Sequence, residues 1–351
     1  MEEYIAFDSH KHYTWVEQER AASGKIRQYR LEHAPGAILR ALRDCPPGTA
    51  VALEATANWY WIVDEIEQAG LVPRLVHPRK AKLMMGLINK TDKLDAHGLN
   101  VLARNGTLPV VWIPPGPLRE LRELTRTRVV LVAQRTRWKN RVTATLAKYG
   151  APASDHSDPF GERARAELAQ RSERLPEQAR WVLDQMLRQI DTLREQITQC
   201  EQRLEQLVEV TPAMQRLRSL PGVGVILAAT IQLEIGDVAR FPSAEHLAAY
   251  AGTTPRVHAS GDRTRYGRTR PDVNRYLKWA FAEAANSVAV NHTRCPQRHV
   301  SQLYRRLRER KGHSRAVGAV ARHLAEATFH LLSRQQVYRD PAVVTARATE
   351  V

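Results

Sequence analysis

Short apolar runs broken by polar turns open the chain. Tyr4–Phe7, Thr14–Val16 and Ile26–Leu31 each have the length and the β-branched or aromatic content of a strand, with a turn at Ser23-Gly24-Lys25 before the third. Apolar spacing then changes to the helical period in "GAILRALRDC", returns to a strand in "TAVALE", and is helical again in "WYWIVDEIEQAG", closed by Gly70. "LVPRLV" reads as a further strand. Residues 1–112 are therefore expected to form an α/β domain. After the breaker "PVVWIPPGP" the pattern is helical over 113–210, in two long stretches that bracket a Pro/Ser/Asp-rich interruption at 151–160. These stretches predict an antiparallel helical arm of coiled-coil type.

Three strands followed by alternating helix and strand is the order of a ribonuclease H-like sheet. Further on, "LRSLPGVGVILAATIQLEIGDVARF" places a Pro-Gly-x-Gly turn between two apolar helical stretches. Such a turn resembles a helix-hairpin-helix, in which Gly222 and Gly224 would let backbone N–H groups approach a phosphate; a plain tight turn is the alternative. Residues 211–335 are expected to be mainly helical, and 336–351 a tail. The whole thus reads as α/β plus all-α, with no fixed-period repeat.

Charge narrows the partners. Lys and Arg number 53 against 37 Asp and Glu in 351 residues, a net charge of +16, which points to a polyanion, with nucleic acid ahead of a membrane surface. No apolar run reaches the roughly 18–20 residues a span needs, and the start has no basic segment followed by an apolar one, so a cytoplasmic protein is expected. Cys45, Cys200 and Cys295 form no CxxC pair and suggest neither a disulfide framework nor a zinc ribbon. The first arm helix is strongly basic, with Arg119, Arg122, Arg126, Arg128, Arg135, Arg137, Lys139 and Arg141. A run this lopsided favours phosphate contact over a merely solvated face.

Candidate chemistry lies in carboxylates. Asp8 ends the first strand, Glu54 ends "TAVALE", and Asp92 and Asp95 stand one helical turn apart in "KTDKLDAHGL". Four such acids at one sheet edge repel each other unless divalent metal neutralises them, and two Mg²⁺ ions suit phosphoryl transfer on nucleic acid. For Asp92 a helix N-cap is the bland alternative. Asn58 is placed to cap the helix after Glu54, whose Trp59, Tyr60 and Trp61 are expected to pack on the sheet, with one ring left to stack on a base. Lys90 and Lys93 flank the aspartates and would either contact phosphate or balance charge. His10 and His12 near Asp8, and His97 near Asp95, are placed to touch substrate, but each reads first as a surface or turn residue. Ser260 lies in a Gly/Ser/Arg-rich loop among Arg256, Arg263, Arg265, Arg268 and Arg270. It needs a metal or base to become a nucleophile and cations to stabilise phosphate charge.

These residues, with "AFDSHK", "ALEATANWY", "HPRKAK", "RELTRTRVVLVAQRTRWKNRV" and "LPGVGVILAATIQLEIGDVARFPSAEHLAAYAGTTPR", resemble the DEDD transposases of bacterial insertion sequences, the bridge-RNA-guided recombinases. The resemblance runs nearly end to end. It implies a RuvC-like N-terminal domain whose Asp8, Glu54, Asp92 and Asp95 bind Mg²⁺ or Mn²⁺, a helical arm, and a C-terminal transposase domain whose Ser260 attacks DNA. It also implies a structured non-coding guide RNA pairing with donor and target double-stranded DNA, and a dimer that becomes a tetramer on DNA. Ala259-Ser260-Gly261-Asp262 stands where many relatives have Ser-Ser-Gly-Gly, and "RPDVNRY" replaces a more basic, glycine-containing stretch. Two other functions remain open on the residues: a metal-dependent Holliday-junction-type endonuclease using water, and a non-catalytic RNA- or DNA-binding protein.

Overall fold

A computed structural model describes residues 3–86, 91–151, 154, 156, 158–261 and 263–341. The chain divides into two compact units, Met1–Pro114 and Pro115–Val351. Lys90 and Asp262, singled out in the sequence, lie outside the described residues, as does most of the tail.

In the first unit the elements run β1 (Glu3–Ser9), β2 (Tyr13–Arg20), β3 (Lys25–Glu32), α1 (Ala37–Leu42), β4 (Ala50–Glu54), α2 (Trp59–Gln68), β5 (Val72–Val76), α3 (Pro78–Met85) and α4 (Asp92–Arg104). The sheet order is β3-β2-β1-β4-β5. The first three strands pair antiparallel, and β1, β4 and β5 pair in parallel. Alternation along each strand sorts the core into two layers. Ile5, Phe7, Val51 and Leu53 pack with Ile38, Leu42, Ile62 and Ile66 on one face. Ala6, Ala52 and Val76 pack with Ala81, Leu99 and Leu102 on the other. Small residues at positions 6 and 52 let α4 lie close on the sheet, which fixes where its first turn points. Trp59 and Trp61 pack against the first layer, as the sequence suggested.

Strand β2 is longer than its apolar run. Glu17 and Glu19 are buried because α4 supplies donors above them. His97 Nδ1 lies 2.9 Å from Glu17 Oε1, Asn100 Nδ2 donates to the same oxygen at 2.9 Å, and Gln28 Nε2 donates to Glu17 Oε2 at 2.6 Å. Arg104 reaches Glu19 Oε1 at 2.9 Å. His97 is thus the partner of a buried acid and not a simple surface residue. Asn58 stands at the N-cap position of α2, yet its side chain makes no cap bond there. Its amide instead donates to the His10 carbonyl at 2.8 Å.

The second unit continues with α5 (Gly116–Lys148), α6 (Glu162–Glu173), α7 (Glu177–Leu207), α8 (Pro212–Arg218), α9 (Val225–Ile235), α10 (Ala244–Tyr250), β6 (Pro255–Ser260), β7 (Arg263–Thr269), α11 (Arg275–Asn291), α12 (His299–Lys311) and α13 (His313–Ser333). Helices α5 and α7 run antiparallel, with Val142 and Leu146 against Leu183, Met186 and Ile190 near one end and Arg128 bonded to Glu201 near the other. The other helices enclose a core that includes Leu217, Ile231, Leu247, Phe281, Val320 and Leu324.

The root of the arm is tied into that core by a buried carboxylate. Glu234, fully buried near the end of α9, accepts from Arg126 Nε and Nη2 at 2.7 and 3.0 Å and from Asn274 Nδ2 at 2.7 Å. Arg122 donates to the carbonyls of Leu233 and Glu234 at 2.7 and 2.9 Å, and Arg240 to that of Ile235 at 2.9 Å. Cations at a helix C-terminus oppose its partial negative charge and satisfy its orphan carbonyls. Burial nevertheless pushes the Arg122 guanidinium below its ordinary value, with Glu234 acting in the other direction. This anchorage is why the arm belongs to the same compact unit as the C-terminal helices.

The Pro-Gly-x-Gly turn joins α8 to α9 as expected. Gly222 has φ +80°, and a Cβ there would meet the Ala284 carbonyl oxygen at 2.3 Å. Gly222→Ala is therefore expected to cost at least about 2 kcal/mol from backbone strain and overpacking together, measured as a lower urea midpoint for the C-terminal unit. Glu234→Ala leaves Arg126 and Arg122 without their buried counter-charge. Its expected cost is about 3–5 kcal/mol in the same assay.

Candidate active site

Parallel pairing of Phe7 with Leu53 brings the ends of β1 and β4 together, so Asp8 and Glu54 arrive at one edge of the sheet. Helix α4 begins at the same edge. Its N-cap is Thr91, whose hydroxyl accepts from the Leu94 N–H at 3.3 Å. Asp92 is therefore not the cap, and its carboxylate is engaged elsewhere. The Tyr13 hydroxyl donates to Asp92 Oδ2 at 2.7 Å. His10 Nε2 lies 3.0 Å from Asp8 Oδ2 and 3.3 Å from Asp92 Oδ1, bridging the two acids.

Ligand atoms of Asp8, His10 and Asp92 all fall within 4.8 Å of one another. Among the described residues, Asp95 and Glu54 do not join that tight group. Asp95 is half-buried one turn along α4, and its charge still acts on Asp8. Burial raises the Asp8 carboxyl above the usual carboxylate range; His10 lowers it, and Asp95 and Asp92 raise it further. The bond to Asp92 likewise raises the Tyr13 phenol. The Asp8 rise is therefore first the mark of a carboxylate taken out of water, to which neighbouring negative charge adds. Oxygen donors of this kind fit a hard divalent cation such as Mg²⁺ or Mn²⁺.

His10 is the site residue that sequence reading undervalued. Its position is set by two contacts: Asn58, itself braced by Thr56, which donates to Asn58 Oδ1 at 2.8 Å, holds its carbonyl, and the ring stacks on Tyr13 with centroids 4.8 Å apart. Arg30 lies over the Tyr13 ring, 3.9 Å from its centroid. The signal was its two-residue spacing from Asp8 in "AFDSHK". Lys93 is engaged with the Trp15 ring, 5.3 Å from its centroid.

The segment around Ser260 is a two-stranded ribbon and not the irregular loop expected. Alternation of large polar side chains with Val257, Ala259, Thr264 and Tyr266 gives the strand period, masked in the sequence by its Gly and Arg content. Ser260 pairs with Arg263 and His258 with Arg265, so these four share one face. Ser260 closes β6 beside Gly261, whose φ of +56° makes the turn. Arg256, Arg263, Arg265, Arg268 and Arg270 are half-buried or exposed along the ribbon and just past it.

The basic arm divides. Arg119 and Arg122 are buried, and Arg126 turns inward to Glu234, which corrects the expectation that it faces phosphate. Arg128 pairs with Glu201 and Lys139 with Asp158, at 2.6 and 3.3 Å. Arg135 is half-buried, its guanidinium lowered by burial and then by Arg194 and Arg128. Arg137 and Arg141 are exposed. Gly222 is occupied by close packing on Ala284, while a Cβ at Gly224, the N-cap of α9, would meet only open space.

Two family models match the chain. One, a DEDD transposase of the IS110 type, covers residues 8–151, and the other, the Transposase IS116/IS110/IS902 family, covers 214–301. Among similar proteins is a transposase for insertion sequence element IS1111A from Coxiella burnetii, 26% identical over 77% of this chain and 74% of its own length. A probable family 20 transposase from Pseudomonas aeruginosa is 27% identical over 85% and 87%. A pilin gene-inverting protein from Moraxella bovis is 28% identical over 60% and 57%. The first match holds the acidic cluster and the second the ribbon with Ser260, and on both together the chain belongs to the DEDD transposases of insertion sequences.

Proposed function

We propose that this chain recombines DNA through a covalent phosphoserine link, with an acidic, divalent-metal-dependent site and a guide RNA that pairs with donor and target DNA. The convergence of Asp8 and Asp92 on His10, with Asp95 one turn away, carries this reading. The sheet order 3-2-1-4-5, with acids at the ends of β1 and β4, supports assigning the first unit to the ribonuclease H-like, RuvC-like class. Asp8, Glu54, Asp92 and Asp95 would hold the metal, which supplies Lewis acidity toward a phosphoryl oxygen.

In the proposed step Ser260 Oγ loses its proton and bonds to phosphorus. One P–O bond to a sugar oxygen breaks, and that oxygen leaves with a proton. Arg263 and Arg265, on the same face, offset the charge that develops on the phosphate. The ester energy is kept in the phosphoserine link, so resealing to a second strand needs no nucleotide cofactor. Acids and serine belong to different compact units, and strand exchange requires several active centres, which fits assembly as a dimer and then a tetramer on DNA. RNA guidance rests on the family resemblance and on a net charge of +16.

Three outcomes test the proposal. Asp92→Asn should lower strand cutting at least about 100-fold while nucleic-acid binding in a gel-shift assay is retained; unchanged cutting would remove the acidic site from the chemistry. Ser260→Ala should abolish the protein–DNA adduct seen on a denaturing gel. Undiminished cutting by that variant would instead make the chain a metal-dependent nuclease that uses water. Purification together with the flanking element, followed by sequencing of nuclease-protected nucleic acid, should recover one discrete RNA with loops matching both DNA partners.

A further inference from the structure

Helix α12 concentrates charge that the acidic site, the ribbon and the arm do not use. Arg305, Arg306, Arg308, Arg310, Lys311 and Arg315 fall within eleven residues of sequence against the single acid Glu309, and all six are exposed. Val300, Ser301 and Tyr304 form the buried side of the helix, so Arg305, Arg306 and Arg310 occupy its outer side, while Arg308 and Lys311 continue the buried stripe into solvent at the helix end. Glu309 is four residues from Arg305 and three from Arg306, the spacings that favour helical ion pairs. Among the described residues it forms an ion pair with neither, and no ion pair involves any of the six cations. Elsewhere the protein does pair such groups, as in Arg128–Glu201 and Arg322–Glu326.

The helix dipole accounts for part of the pattern. Arg308, Arg310 and Lys311 occupy the last turn, where cations are favoured. Arg305 and Arg306 lie before that turn, and Arg315 lies on α13 beyond Gly312, so the dipole explains none of these three. Arg306 and Arg310 stand about 6 Å apart along the axis, from a rise of about 1.5 Å per residue. The turn between the helices is held by His313, whose Nδ1 is 2.8 Å from the Tyr304 hydroxyl. Only the first three residues of α12 lie within the stretch matched by the family models.

We propose that the outer side of α12, with Arg315, is a second surface for the phosphodiester backbone of a nucleic-acid duplex, additional to the ribbon that carries Ser260. Closely spaced guanidinium groups without acidic partners bind successive phosphates and release their counterions, a sequence-independent mode of binding. The inference rests on the reading that the chain binds nucleic acid, and goes beyond it by naming a surface with no part in cutting.

The test uses the full chain with Arg305→Gln, Arg306→Gln and Arg310→Gln combined, and a charge-matched control carrying Arg163→Gln, Arg188→Gln and Arg203→Gln on exposed arm positions. Affinity for a DNA duplex and for an RNA duplex of equal length is measured from 50 to 300 mM salt, with thermal unfolding to verify folding. The α12 variant should show a plot of log affinity against log salt shallower by roughly one for each phosphate that is no longer neutralised, for DNA, RNA or both; the arm of the experiment that responds identifies the source of the backbone. The control should keep the wild-type slope. Equal slopes for the α12 variant and the control would overturn the inference alone. A wild-type chain that binds neither duplex would overturn the nucleic-acid reading with it. Should the triple variant unfold, Arg306→Gln alone, expected to lower the slope by about one, gives the same decision.

Discussion

Like charge brought together in a half-buried space is the constraint on which the first unit is built. Asp8 and Asp92 come from elements far apart in sequence, and each would be better solvated alone. Hydrophobic packing of α4 on Ala6 and Ala52 forces them to one edge of the sheet, and His10 and Tyr13 then take up their oxygens. Burial is the main cause of the rise of the Asp8 carboxyl above its ordinary range, and the charges of Asp95 and Asp92 add to it. A fold optimised for stability alone would have placed an amide or an apolar group there. Under the proposed metal-dependent chemistry that tension would have a use, since a divalent cation would relieve it.

The second unit resolves the opposite problem. Its excess is positive, and three arginines lie against the end of α9. Glu234 and the terminal carbonyls of that helix absorb Arg122 and Arg126, while Arg240 reaches the same carbonyls from a neighbouring turn. The result is a rigid root for a long pair of helices. What the sequence displays as one basic stripe along α5 is, in three dimensions, a buried anchor at one end and partly paired or exposed cations farther along.

Much of the fold was legible because periodicity is local. The strands of 1–112, helices α1, α2 and the start of α4, the two long arm helices and the turn at Gly222 follow from spacing and breakers, whereas α3 is not read from them. Strand β2 extended farther than its apolar run because Glu17 and Glu19 are buried by donors supplied some eighty residues later, a tertiary effect no local window contains. The ribbon was hidden for a different reason: its strands are exposed on both faces and carry no apolar alternation strong enough to stand out from a loop. Strand ends announced the positions of Asp8 and Glu54, of which Asp8 joins the tight group with His10 and Asp92. His10 is legible beside Asp8 but reads first as a surface or turn residue, because its contact with Asp92 exists only once α4 has packed on the sheet. Thr91 took the capping role open to Asp92, a choice between adjacent residues that propensity leaves undecided.

Ser260 sits at the tip of a slender, solvent-bathed ribbon and not at the bottom of a cleft. Under the proposed phosphoserine link, nothing on the ribbon itself would keep water from a phosphate held there, and shelter would have to come from the polymer lying across it. Such a centre would be dry only when fully loaded, so the chemistry would wait until all of the macromolecular cargo is in place.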